Sequence, residues 1–496
     1  MAHAVIAGGG IGGLATALSL ARSGHRSTVL ERSTSFAEIG AGIQLGPNAF
    51  HALDLLGAGA DVREAAVFTD ELRFMDGLTG EKVATMKLTG AYRERFGNPY
   101  AVVHRGDLYQ ALLAACQDRD DILLRAGTAV SGYSQDSSGV IAHTADGNDV
   151  RGSLLVGADG IRSAVREAML GDGEPRVSGH TIYRSVIPIE KVPEELRWNT
   201  VTLWAGPRWH FVHYIIGGGE FLNLAVTLDD GASVPVAGRK AAGELVLSRF
   251  PGIGTTARRL LELGTGWREW VLCDRDPVRT WVDGRVGLIG DAAHPMLQYA
   301  AQGACQALED AVVLGDLLKG AEDDALPQAL EQFNALRHER AGNAQLVARR
   351  MGHELYHPEG ERARVRNAML GSLTQEAMYD KVAWLHGDRS FTDGGHGGAP
   401  VEHAALADGR RVARARARGD AGGTACRGAG HNGGRGRPPG TATARTRAWS
   451  PDDLRTRRGD LHRRRPARSH AGLSRGGHGG QLGVAQVGEG DVGPPR

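Results

Sequence analysis

Gly8, Gly10 and Gly13 follow the apolar run Ala4-Val5-Ile6-Ala7 with the G-x-G-x-x-G spacing. In that spacing the first glycine makes a tight turn, the second lets a pyrophosphate approach the backbone, and the third lets helix pack on strand. The phosphate charge then faces the open N–H groups of a helix N-terminus. Glu31 closes the next strand, about twenty residues on, where a carboxylate accepts from ribose hydroxyls. A second segment, Gly287-Leu288-Ile289-Gly290-Asp291-Ala292-Ala293-His294-Pro295, lies far downstream. One glycine turn serves any dinucleotide. The pair points to FAD, an extended cofactor held at its two ends, and so to oxidation–reduction chemistry. A third pattern is His210 with Tyr214: four residues apart, they share one face of a strand, while His213 points to the other.

The elements that must position these residues are legible around them. Leu14, Ala17, Leu18 and Ala21 repeat at helical spacing, so a helix is predicted from about Ile11 to Arg22, ended by Gly24. Thr28-Val29-Leu30 reads as the second strand. Leu154-Leu155-Val156 is a buried-strand candidate leading into Gly157-Ala158-Asp159-Gly160, with a helix from Ser163 to Met169. From Thr181 to about Leu228 the texture changes. Val201–Trp204, Phe211–Ile216 and Phe221–Val226 are short, β-branched and aromatic, and read as antiparallel strands, with Gly217-Gly218-Gly219 as a hairpin turn. Val286 to Ile289 returns to buried-strand character, Gly303 to Lys319 reads as a long helix, and residues 326 to 385 read as helical.

At 496 residues the chain can hold two to three domains. Net charge is +1 but uneven: from Asp388 onward there are twenty Arg and no Lys against ten acids, so the tail is +10 and the rest −9. An acidic body argues against a nucleic-acid partner. Cys116, Cys273, Cys305 and Cys426 are scattered with no C-x-x-C, which suits a reducing cytoplasm and gives neither a zinc site nor a disulfide framework. No apolar run is long enough for a membrane span, and the first apolar residues belong to the nucleotide-binding strand rather than to a leader. The tail from 388 to 496 lacks Lys, Ile, Met and Tyr and reads as a disordered basic extension. Its missing residue types are those with AT-rich codons, which is what a frameshift in GC-rich DNA would produce.

Taken in order, the N-terminal fingerprint, Gly157-Ala158-Asp159-Gly160-Ile161-Arg162-Ser163 and Gly290-Asp291 resemble the three signatures of the class A flavoprotein aromatic hydroxylases. The resemblance covers about residues 1 to 388. Within that family, Gly40 to Ala49, Asn98 to Arg105 and His294 to Tyr299 running into Gln302-Gly303-Ala304-Cys305 are most similar to the 3-hydroxybenzoate 6-hydroxylase branch. Salicylate and 6-hydroxynicotinate hydroxylases share much of the pattern. The implied fold is α/β: a Rossmann-like FAD-binding domain, an interleaved antiparallel-sheet substrate domain and C-terminal helices. The implied boundaries are 1–180 and 276–387 for the cofactor, with some substrate-domain segments in the first part, and 181–275 for the substrate sheet.

The same resemblance implies roles. Asp291 accepts from ribityl hydroxyls, and Gly303 and Ala304 present helix N–H groups to the reduced flavin. Arg105 holds the cofactor from a helix start, and Asp159 with Arg162 contacts FAD and the incoming nicotinamide. Gln298 hydrogen-bonds substrate, while Arg184 reads either as a partner for a substrate carboxylate or, in preference, as a structural arginine. His210 takes the phenol proton and Tyr214 relays or orients through its hydroxyl, so that the phenolate attacks a flavin C4a-hydroperoxide. A single nucleotide fingerprint implies that NADH visits the flavin transiently. The expected reaction hydroxylates 3-hydroxybenzoate para to its hydroxyl with NADH and O2, giving gentisate, in a cytoplasmic homodimer with no nucleic-acid or membrane partner and no metal. Competing readings are a salicylate or other phenolic-acid hydroxylase, a non-catalytic FAD-fold binding protein, and an RNA-binding protein acting through its Arg-rich tail.

Overall fold

The computed structural model describes residues 1–37 and 41–387. The expectations for the tail from 388 onward lie outside the described residues.

A six-stranded sheet forms around His3–Ala7. Arg26–Leu30 and Leu154–Gly157 flank it in parallel, and Ile122–Arg125 and Val286–Leu288 extend it in parallel on either side. Val282–Asp283 adds an antiparallel edge. The central strands are apolar runs because both faces are covered, as a parallel sheet requires. The predicted helix Ile11–Arg22 packs against Gly303–Leu318. Their approach is close: a Cβ on Gly315 would sit 2.1 Å from Ser19 Oγ, and Ser23 Oγ donates to the Gly315 carbonyl at 2.7 Å. One hydrophobic cluster runs through this sheet and both helices.

The strands predicted between Val201 and Val226 are found as Thr200–Gly206, Trp209–Ile216 and Phe221–Ala232. They lie in an eight-stranded sheet whose other members are Ala237–Lys240, Arg268–Asp274, Arg176–Pro188, Glu71–Asp76 and Lys82–Lys87. All its neighbours are antiparallel except Thr200–Gly206 against Glu71–Asp76. The two strands before residue 100 thus join a sheet built mostly from later sequence. The Gly217–Gly219 hairpin closes as a short 3-10 turn, with Gly218 at φ +61. Trp204, Trp209, Phe211, Leu224 and Val226 bury one face of this sheet. Its other face turns toward the cofactor segments.

The helical stretch from 326 is four pieces: Leu326–Arg350, a π-helical Met351–Tyr356, Gly360–Gly371 and Gln375–His386. The π turn was not readable from periodicity, because it keeps helical composition while shifting the face that each later residue presents. Gly352 in that turn lies against the Tyr299 ring, where a Cβ would come within 2.7 Å.

Candidate active site

The glycine turn, Glu31, Asp159 and Gly290-Asp291 follow the carboxyl ends of four neighbouring strands of the parallel sheet. That edge is where α/β sheets place ligands. Gly8 has φ +104, and a Cβ there would meet the Ala158 carbonyl oxygen at 2.4 Å. A Cβ on Gly13 would sit 2.0 Å from Gly8 O. Gly10 instead looks onto open space, with no atom within 4 Å of a Cβ position. The turn is therefore closed by packing at its first and third glycines and open at its second, the shape a pyrophosphate needs. Glu31 accepts from Gly9 N–H at 2.9 Å and from Ser33 N–H at 2.8 Å, which fixes its carboxylate beside the turn with lone pairs to spare.

Asp159 does two things. Its Oδ2 accepts from Ala164 N–H at 2.8 Å, capping the helix Ala164–Leu170 together with Ser163. Its Oδ1 is buried without a partner, and burial raises the carboxyl above its usual range. An orphaned acceptor beside the glycine turn fits a cofactor hydroxyl. Asp291 is open to solvent yet ringed by protein. Burial pushes its carboxyl up while His294 and Arg105 pull it down. Gly303 begins its helix with its Cβ position 4.0 Å from Asp291 Oδ1, and Ala304 follows at the helix start. Arg105 begins the helix Arg105–Gln117. Ala301, just before Gly303, adopts a left-handed φ of +52 although it is not glycine, the kind of local strain held at ligand sites. These residues fit FAD: a phosphate cradle, hydroxyl acceptors at both ends, and two helix N-termini.

What holds the Gly290-Asp291 turn was not foreseen. Asp310, fully buried, accepts from Gly290 N–H at 3.0 Å and from His294 Nε2 at 2.5 Å. Arg337 Nε donates to its other oxygen at 2.8 Å and Arg337 Nη1 donates to Glu309 at 2.6 Å. Burial alone would raise both carboxyls. The charges of Arg340 and Arg337 hold Glu309 at about 2, and those of His294 and Arg337 hold Asp310 at about 2. Three chain segments, the Gly290–His294 turn and the helices Gly303–Leu318 and Leu326–Arg350, converge on this cluster, so the flavin-side turn is anchored from below.

His210 and Tyr214 share the sheet face, as their spacing predicts. His213 lies on the other face, stacked on Trp204 at 6.3 Å. Thr227, Asn223 and Arg184 join His210 and Tyr214 through cross-strand register. Gln298 reaches the same face: its Oε1 accepts from Arg184 Nη2 at 2.5 Å and its Nε2 donates to Thr227 Oγ1 at 3.4 Å. Burial lowers His210 to about 3, with His180 adding to the effect, so its imidazole is neutral. Burial raises Tyr214 to about 12, against the pull of Arg184 and a hydrogen bond with Gln44. Gly42 lies against the Tyr214 ring, with a Cβ position only 2.4 Å away, and its N–H donates to Asn223 Oδ1 at 3.0 Å.

Two further features bear on this face. Arg184 forms no ion pair with any acid among the described residues, only the bond to Gln298 and a contact over the Trp270 ring at 5.9 Å. An arginine without an acidic partner on this face is poorly explained as structural. The second is His357, whose Nε2 lies 2.8 Å from His210 Nδ1. Its position after the π turn, between Tyr356 and Pro358, gave no periodic signal.

Residues 1–187 and 260–348 match the model of the FAD binding domain family. The 3-hydroxybenzoate 6-hydroxylase 1 of Aquipseudomonas alcaligenes is 48% identical over 383 residues, 77% of this chain and 97% of that protein. The 3-hydroxybenzoate 6-hydroxylase of Polaromonas naphthalenivorans is 44% identical over 77% of this chain and 95% of its own length. A solved salicylate hydroxylase–substrate complex superposes with TM-score 0.68 at 25% identity, covering 81% of this chain and 99% of that one. The chain belongs to the FAD binding domain family and is a flavoprotein monooxygenase of the aromatic hydroxylase type, with FAD as its cofactor.

Proposed function

We propose that the enzyme hydroxylates 3-hydroxybenzoate para to its hydroxyl, consuming NADH and O2 and yielding gentisate. The observation that carries this reading is the shared sheet face: neutral His210, Tyr214 and Arg184 beside Gln298, next to the cofactor segments. When bound, FAD would carry two electrons from NADH to O2 and activate it, so that one atom of O2 enters the ring and the other leaves as water.

The side chains supply recognition and proton chemistry. Nε2 of His210 has no hydrogen-bond partner among the described residues, while Nδ1 is engaged by His357, so Nε2 is the acceptor for the phenol proton. Removing that proton makes the ring electron-rich at the position para to oxygen. Arg184 pairs with the substrate carboxylate and Gln298 orients the guanidinium. Tyr214, held through Gln44, lines the ring's edge. A phenol and a carboxylate fixed at two separate anchors leave the ring one orientation, which is how a site selects one carbon. Burial of the surrounding aromatic residues keeps water from the reacting atoms.

The reading assigns the cofactor to residues 1–180, with some substrate-domain segments among them, and to 276–387, and the substrate sheet to 181–275; the strands Glu71–Asp76 and Lys82–Lys87, which join the eight-stranded sheet, are consistent with such interleaved segments. A cytoplasmic homodimer belongs to the same proposal. No helix among the described residues is long and apolar enough to cross a membrane.

The test is product analysis. Purified protein with FAD, NADH, O2 and 3-hydroxybenzoate is expected to give gentisate with matching NADH loss. NADH loss with only hydrogen peroxide would move the assignment to another phenolic acid, with salicylate tried first. No NADH loss with flavin bound would refute it.

A further inference from the structure

His210 does not end the proton path. Its Nδ1 lies 2.8 Å from His357 Nε2, and the two imidazoles stack with centroids 5.0 Å apart. Both side chains are buried, His210 at 2% exposure and His357 at 4%. The shared bond fixes the tautomers. For His210 to accept a phenol proton at Nε2, its own hydrogen must sit on Nδ1 and donate to His357 Nε2. Neutral His357 then carries its hydrogen on Nδ1. That atom is buried without a partner among the described residues.

Beyond His357 the route leads outward. A nitrogen of His357, a nitrogen of His180 and a carboxylate oxygen of Asp229 lie within 4.8 Å of one another. His180 Nε2 is 4.0 Å from Asp229 Oδ1, and its Nδ1 is hydrogen-bonded to Tyr299 OH at 2.6 Å. Asp229 is 28% exposed and receives Arg208 Nη2 at 3.3 Å, so it meets solvent. Separations of about 4 Å between polar atoms are spanned by one bridging water. The charged and titratable groups facing His357 are His210, His180, His353 and Arg208, with Asp229 at the outer end and the phenols of Tyr299 and Tyr356 alongside.

We propose that His357 is a positioning and proton-relay residue, which sets the His210 tautomer and carries the substrate's phenol proton toward Asp229 and solvent. This rests on the reading of His210 as the base. The steps balance. The phenol O–H breaks and its proton goes to His210 Nε2, the Nδ1 hydrogen of His210 passes to His357 Nε2, and the Nδ1 hydrogen of His357 leaves toward Asp229. No electron is gained or lost. As the product ring regains its aromatic form, the reverse hops re-form the O–H and restore both tautomers.

The test separates proton movement from turnover. The FAD-loaded enzyme is mixed with 3-hydroxybenzoate, without NADH, in weak buffer containing a pH indicator dye. Proton release is followed by stopped flow, and substrate binding by the flavin absorbance change. The wild type is expected to release a proton on binding. In His357→Gln, which keeps a hydrogen bond but cannot relay, release is expected to slow at least about tenfold with the substrate Kd within about twofold. Added imidazole is expected to restore release in His357→Gly. Asp229→Asn, at the half-exposed end, is expected to slow release likewise and serves if the His357 variants do not fold. Wild-type release rates in both His357→Gln and Asp229→Asn, or no release by the wild type, would overturn the relay. If release in His210→Asn equals that of the wild type, the base assignment itself fails. If only His210→Asn loses it, the base stands and the relay does not.

Discussion

Replacing Arg337 with methionine tests whether the buried acidic pair anchors the flavin-side turn. Arg337 is 2% exposed and donates to Asp310, to Glu309, and to the carbonyl and side chain of Gln306. Glu309 keeps Arg340 as a partner after the change, through bonds at 2.7 and 2.8 Å. Among the described residues Asp310 keeps His294 and the Gly290 N–H alone, so the uncompensated charge falls on the residue that holds the turn. Two hydrogen bonds to charged groups, at about 1.5–3 kcal/mol each, put the loss near 3–6 kcal/mol. Breaking one side of a buried ion pair costs about 3–5 kcal/mol by independent reckoning. A loss of about 4 kcal/mol is a large share of the roughly 5–15 kcal/mol that holds a domain folded. The assay is urea unfolding of the FAD-loaded protein, followed by circular dichroism and flavin fluorescence. FAD affinity is expected to fall at least about tenfold, since even 1.4 kcal/mol of loosening at Gly290 does that. Arg337→Met with Asp310→Asn should be less damaged than the sum of the single changes, because the orphaned charge is gone. Arg95→Ala, which removes an exposed pairing with Glu376 and Asp380, is the control and should cost under about 1 kcal/mol. An Arg337→Met protein within 1 kcal/mol of wild type, or strict additivity in the double variant, would refute the reasoning.

Gly13→Ala drives a methyl to 2.0 Å from Gly8 O, backbone that cannot swing aside, so FAD Kd should rise about 10- to 100-fold by titration, at an overpacking cost of about 1–3 kcal/mol. An unchanged Kd would mean the turn is not the phosphate cradle. Arg184→Met should raise the Kd of 3-hydroxybenzoate about 10- to 100-fold while leaving that of 3-hydroxybenzyl alcohol within about twofold, because only the carboxylate loses its partner; equal effects on both would remove Arg184 from substrate binding. His210, His213 and His386 are each lowered by burial to about 3. The unfolded chain therefore binds more protons than the folded one from about pH 6.5 downward, and stability must fall with acid over that range, by about 3 kcal/mol per histidine at pH 4. His213→Phe, away from the proposed active face, should flatten the slope by one proton in urea titrations at stepped pH, and an unchanged slope would count against its buried neutral state.

Much of this arrangement was legible because local rules and tertiary demands agree. The helix Ile11–Arg22 is found where its apolar spacing and Gly24 place it, and the strand Trp209–Ile216 puts His210 and Tyr214 on one face because the pleat leaves no other choice. For Arg184 the sequence leaves a structural role and a substrate-carboxylate role side by side, because what bears on the choice is the lack of an acidic partner among the described residues, and no local pattern encodes an absence. His357 was missed for a different reason. A π turn inside a helical stretch rotates everything after it, and only that rotation brings a residue 147 positions away onto His210 Nδ1. Glu309 and Asp310 sit mid-helix, where composition alone reads them as a solvated face. Their arginine partner comes from the next long helix, so their burial is a property of the helix pair rather than of either segment. The two hidden features act on the same problem from opposite sides. The acidic pair fixes where the cofactor's turn lies, and the histidine pair fixes which nitrogen of His210 is free. Motif residues that touch ligands are readable one segment at a time, whereas the residues that set their position and protonation are readable only once the chain has closed on itself.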